Sequence, residues 1–233
     1  MERTPKALIV LTWVTSAVFV VALYIVLIWA PQEAIMGDVQ RVFYFHVAAG
    51  WVGALAFLVT AIVGGIYLAR GEQRWDRVAV SSVEIGIVFT FINIVTGSIW
   101  ARPIWNTWWT WDPRLVTATI MLLIYIAYIM LRQGIEDPDR RARFGAVYGI
   151  VGFISVPLTF LSIRIFRTIH PIVVGSSDPT AAGAFNMTAD MRVAFFFSLF
   201  TFTLIYLTLL WHRVRLQNLM EKIEERKLTA ISS

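Results

Sequence analysis

Hydrophobic positions along this chain come in long unbroken runs rather than in alternation. Five stretches lack Asp, Glu, Lys and Arg altogether: Leu8 to Ala30, Val42 to Ala69, Leu115 to Leu131, Phe144 to Ile163 and Val193 to Trp211. A sixth, Val78 to Ala101, is interrupted only by Glu84. A helix needs about 20 residues, at about 1.5 Å each, to cross a hydrocarbon core of about 30 Å. The pattern therefore predicts an all-α polytopic membrane protein, a bundle of six transmembrane helices in one unit over residues 1–233. The alternating strands that a membrane barrel requires are missing. The first run is too long for the core of a signal peptide and has no small-residue cleavage site after it, so it is expected to remain as a helix. Pro157 predicts a kink in the fifth. Beyond the sixth, Leu216, Leu219, Met220 and Ile223 recur at helical spacing among charges, which predicts a short amphipathic tail over 213–233.

Composition agrees. The chain is 58% hydrophobic and 15% charged, against about a quarter charged in soluble domains. A pI near 9.8 would suit nucleic acid, but the basic residues segregate by loop. Fourteen of the 20 fall in the amino-terminal tail, the segments after runs two and four, and the carboxyl tail. Basic segments stay in the cytoplasm, so both termini are expected inside, the other three loops outside, and the partner is a bilayer, the inner membrane, rather than nucleic acid. There is no cysteine, hence no disulfide and no C-x-x-C-H site for covalent haem.

The external loops carry the candidate chemistry. The stretch RPIWNTWWTWDPR holds Trp105, Trp108, Trp109 and Trp111, and Trp100 stands just before it, half of the chain's ten tryptophans. Isolated tryptophans such as Trp13, Trp29 and Trp211 read as interfacial anchors. Five within twelve residues exceed an anchoring belt. On a short helix Trp105, Trp108 and Trp109 would share a face. Spacing alone leaves a platform for a large flat apolar ligand and a structural belt both open. Asp112-Pro113 is an N-cap followed by an N1 proline, a helix start. Arg114 could meet a ligand carboxylate or be a snorkelling charge.

Two of the three histidines, His46 and His170, reach this same external face from runs far apart in sequence. The third, His212, sits at the cytoplasmic end of run six, where a cation suits a helix C-terminus. Imidazoles for an iron, tryptophans for a planar ring, and Arg41, Arg114 or Arg167 for propionates would together suit haem. Glu84 is the only acid inside a run, and an intramembrane carboxylate raises the alternative of an ion or solute transporter. With Ser81 and Ser82 near, a structural hydrogen bond in the bundle competes with that role. A transporter would also want a paired midplane charge or broken helices, which the sequence does not display.

The segment GSIWARPIWNTWWTWDPRL resembles the tryptophan-rich WWD signature of haem-handling proteins of cytochrome c maturation. With RVFYFHV around His46 and RTIHP around His170, the chain from about Met36 to Trp211 is similar to the heme exporter protein C (CcmC) family. The resemblance implies haem b bound non-covalently, His46 and His170 as axial ligands of its iron, and Trp105 to Asp112 holding the ring. It also implies delivery to a periplasmic haem chaperone, alongside a small single-span subunit and ABC transporter subunits. No catalytic residue follows from it, at most a lyase-like role in attaching haem to the chaperone. Four positions depart from the family's usual pattern. Asn106 stands where a small glycine is usual, Pro113 where alanine is frequent, Ala48 in place of a proline and Pro171 in place of a glutamine. They bear on local backbone geometry rather than on the ligand set.

Overall fold

The computed structural model describes residues 3–33, 36–171 and 187–232. Much of the predicted third external loop, 172–186, lies outside the described residues. Among the described residues, regular structure is helical apart from one isolated bridge between Glu33 and Gly37. The helices are α1 (Lys6–Tyr24), α2 (Gln40–Arg70), α3 (Gln73–Trp105), α4 (Pro113–Gln133), α5 (Pro138–Gly152), α6 (Ser155–Ile165) and α7 (Ala189–Ser232). They supply six stretches long and apolar enough to cross a membrane, α5 and α6 together forming the fifth. Each predicted run falls on one of these spans, the first ending one residue past its helix, at Ala30, and the fifth crossing the junction of α5 and α6.

Three departures from the expected pattern have local causes. The fifth span breaks between Gly152 and Ser155. Pro157 offers no N–H, and its ring crowds the carbonyl four residues back, that of Phe153. The break is healed locally: Val156 N donates to Phe153 O at 3.0 Å and the Ser155 hydroxyl to Gly152 O at 2.7 Å. Secondly, α1 ends in a π-helical turn, Ile25–Trp29, in which Ala30 N bonds Ile25 O. The next residue is Pro31, so Val26 O gains no further main-chain donor; Arg41 Nη1 takes it instead, at 2.8 Å. Thirdly, the tail over 213–233 is not a separate helix. No glycine or proline separates Trp211 from Ser232, and α7 runs on for 44 residues.

α2 lies at the centre. Its Ala48, Ala49, Val52 and Ala56 pack with Ile85 and Phe89 of α3 and with Phe202 and Tyr206 of α7. Its Phe57 joins Val83, Met121, Tyr125, Tyr128 and Val156. Small residues let helix backbones approach closely where lipid offers no hydrophobic drive. The outer faces carry apolar side chains such as Trp13, Phe91 and Phe196, which suits contact with lipid tails. α1 and α7 run antiparallel, joined by Thr15 to Thr208 at 2.8 Å and Thr12 to His212 at 2.9 Å, so both chain ends lie on one face.

On that terminal face, charged residues of α3 tie the bundle together. Asp76 accepts two bonds from Arg132 of α4, at 2.6 and 2.7 Å, with both side chains buried. Arg77 meets Glu221 of α7 at 3.0 Å. Glu84 accepts two bonds from Arg213 of α7, at 2.5 and 2.7 Å. The partner of Glu84 is therefore a cation from α7; Ser82 bonds Ala56 O and Tyr206 instead. A carboxylate held in a two-pronged pair works as a tie between helices rather than as an open ion site. The opposite face, where α2 and α4 begin and α3 and α6 end, is the loop face. His46, the tryptophan segment and His170 all stand there.

Candidate functional site

The tryptophan segment takes its shape from how α3 stops. α3 runs through Pro103 to Trp105, and Asn106 then adopts φ 53°, the left-handed region. Glycine or asparagine tolerates this geometry best, which suits the asparagine found here. Residues 107–112 follow without helix, so Trp108 and Trp109 do not share a helical face with Trp105. Instead the tryptophans divide. Trp100, Trp105 and Trp109 line a recess, whereas Trp108 and Trp111 face outward, 58% and 84% exposed.

Asp112 caps α4, accepting from Arg114 N at 2.9 Å, as its position before Pro113 predicts. Its carboxylate also reaches the segment after α6, accepting from Thr168 Oγ1 at 2.7 and 2.8 Å and from Ile169 N at 2.9 Å. Thr168 Oγ1 in turn accepts from His170 N at 3.0 Å. One carboxylate thus starts α4 and anchors the strand of chain that carries His170.

The two histidine rings stand side by side, centroids 6.5 Å apart and planes inclined by 40°. His46 Nδ1 lies 2.9 Å from Asn93 O, and His170 Nδ1 lies 3.1 Å from Pro171 O. A carbonyl can only accept, so each Nδ1 carries the proton and each Nε2 keeps its lone pair. Burial pushes the His170 imidazole down to about 4, and the nearby Arg114 cation adds to this. The Pro171 carbonyl and Asp112 oppose the shift. His170 is therefore neutral near pH 7.

Both rings open on a recess of about 520 Å³, including the part that joins solvent. Its walls include Trp100, Trp105, Trp109, Arg114, Leu115 and Ala118. Trp105 meets Trp100 edge-on at 5.4 Å and His170 at 6.5 Å. Arg114 donates to Thr159 O at 2.5 Å and lies over the Phe160 ring at 4.6 Å, held facing inward rather than snorkelling. Among the described residues, the buried indole N–H of Trp100 has no hydrogen-bond partner. Arg41 and Arg167 stand outside this recess. Arg41 is engaged by Asp38 at 3.1 Å and by Val26 O; Arg167 lines a separate hollow with Thr110, Asp112 and Thr168.

Sequence reasoning did not single out Asn93, Gly97 or Thr168. The first two could have been found from spacing, since Asn93, Gly97 and Trp100 fall at i, i+4 and i+7 on one face of α3. Thr168 could not, because its partner is 56 residues away. Among the described residues, no group of three or more His, Cys, Asp or Glu side chains could hold a bare metal ion. Two neutral imidazoles suffice, however, for an iron that arrives within a ring of nitrogens and has only axial positions left.

The sequence profile of the family described as heme exporter protein C matches residues 1–229. Among individual relatives, Heme exporter protein C of Escherichia coli (strain K12) is 32% identical over 216 residues, covering 89% of this chain and 83% of its own length. That of Paracoccus denitrificans is 29% identical over 208 residues, covering 88% and 83%. That of Bradyrhizobium diazoefficiens is 28% identical over 203 residues, covering 87% and 76%. The profile match takes in both histidine segments and the whole tryptophan loop, and the chain belongs to the heme exporter protein C family.

Proposed function

We propose that this protein holds haem at its loop face, as non-covalently bound cargo, and hands it on during c-type cytochrome maturation. His46 and His170 are the axial ligands of the iron. The observation that carries this reading is the pairing of the two rings. Two imidazole nitrogens on one metal stand about 4 Å apart at roughly 2.0–2.1 Å per bond, taking zinc as a guide, and roughly 1 Å more from each nitrogen to its ring centre puts the centroids about 6 Å apart. The separation here is 6.5 Å, with Nδ1 engaged and Nε2 left on both rings. Orientation of a ligand imidazole through its other nitrogen is what a histidine–metal site requires.

The remaining walls suit the rest of such a cargo. Trp100, Trp105 and Trp109 offer aromatic surface to a flat macrocycle. Arg114 serves a propionate, and the Trp100 N–H, unpartnered among the described residues, supplies a further donor for a carboxylate oxygen. In this reading the termini lie in the cytoplasm and the loop face in the periplasm, across the inner membrane, which the segregation of basic residues supports. In this reading the recipient is a periplasmic haem chaperone, and the protein works beside ABC transporter subunits and a small single-span subunit. The outward Trp108 and Trp111 present apolar surface beside the opening, where a recipient would approach.

The test is haem content after purification from haem-replete cells. The native protein should carry haem, and the His46→Ala, His170→Ala double variant should lose it while still entering the membrane. Full haem in the double variant would contradict the proposal.

A further inference from the structure

His46 is gripped by α3 through both its ring and its main chain. The Asn93 carbonyl accepts from the ring at 2.9 Å, while the Asn93 side-chain amide donates to the His46 carbonyl at 2.8 Å. The same amide nitrogen lies 3.2 Å from Nδ1, a longer approach than the one it makes to the carbonyl. Thr96 Oγ1, at 3.4 Å from Nδ1, is further still, and it donates to Ile92 O at 2.7 Å. One residue of α3 thus holds both the ring and the main chain of the histidine.

Two glycines make this close approach possible. A Cβ at Gly97 would stand 2.8 Å from His46 Cε1, and a Cβ at Gly50 would stand 2.8 Å from Asn93 Nδ2. Non-bonded atoms repel at that separation, so an alanine at either place must move the ring or the amide. Gly97 lies one helical turn beyond Asn93 and Gly50 one turn beyond His46, so the histidine and the asparagine each face a position cleared of side chain on the opposite helix.

We infer that Asn93 and Gly97 are positioning residues for His46. The Asn93 carbonyl fixes its tautomer and the Asn93 amide tethers its main chain to α3; Gly97 gives the ring the one orientation that leaves Nε2 for the recess. The inference rests on the reading of His46 as an iron ligand, and its effect is on that ligand alone rather than on the bundle.

A double-mutant cycle tests it on the full-length protein, with haem affinity and thermal unfolding of the haem-free form as readouts. Gly97→Ala should weaken haem binding by about 10–100-fold, the usual scale for disturbing the group that orients a metal ligand. In a His46→Ala background, with no imidazole added, Gly97→Ala should have no further effect. Asn93→Leu, which keeps the branched shape and removes the amide, should follow the same pattern if Gly97→Ala does not fold. Equal weakening in both backgrounds, or none in either, overturns the inference. Unchanged affinity in His46→Ala alone would instead remove the ligand reading on which it stands.

Discussion

At the scale of single residues, Asp112 shows how much one side chain carries. Its role as a cap was legible, because Asp-Pro at a helix start is a local signal. Its hold on Thr168 and Ile169 was not, because that depends on how α4 meets the end of α6. Asp112→Ala should lose both roles, with about 0.5–2 kcal/mol of stability from the cap alone. Asp112→Asn keeps a good capping oxygen but leaves one acceptor where the Thr168 and Ile169 donors now find two. It should unfold near the native temperature yet bind haem more weakly than the native protein. Native affinity in Asp112→Asn would show that the tie to the His170 segment does not matter. His170 itself sets a pH limit. Its imidazole is pushed down from the ordinary 6.5 to about 4, so a proton competes for Nε2 only in strong acid. Ligation followed spectroscopically should hold from about pH 8 to about pH 5 and fail below that, since protonation and metal binding exclude each other. Half-loss near 6.5, where an unshifted histidine titrates, would contradict the partly buried, neutral His170 described above.

At the scale of elements, the six spans were legible because charge-free runs of sufficient length admit no other structure in lipid. The break near Pro157 was legible for the same kind of reason, a missing N–H at a known place. The π-helical end of α1 was not, since nothing in Ile25–Trp29 marks it. A short helix would put Trp105, Trp108 and Trp109 on one face; Asn106 ends α3 too early for that, and the rings sort into two groups. This sorting is testable. Trp105→Ala with Trp109→Ala should weaken haem binding by about 0.5–1.5 kcal/mol for each ring removed from the recess. Trp108→Ala with Trp111→Ala, both outward, should leave haem affinity in titrations of the purified protein at the native level. If the outward pair costs as much, the cargo lies over the loop rather than within the recess.

At the scale of the whole molecule, what the sequence could not reveal is which helices meet. Glu84 and Arg213 are 129 residues apart, and His46 and Asn93 are 47 apart. The sidedness, by contrast, rests on charge counts and can be tested directly. The chain has no native cysteine to interfere. A single cysteine at exposed Asn106 should react with an impermeant thiol reagent from outside the inner membrane. One at exposed Glu136, in the turn between α4 and α5, should react only after that membrane is opened. The reverse pattern would invert the orientation and move the haem site to the cytoplasm.

The central claim is that one iron sits between His46 and His170, and the ferric spectrum of the haem-bound protein addresses it most directly. The native protein should be six-coordinate and low-spin. His46→Ala and His170→Ala should each become high-spin with an open axial position, and added imidazole should restore the low-spin form in both. A low-spin spectrum that survives unchanged in either variant, with no imidazole added, would mean that this histidine does not touch the iron.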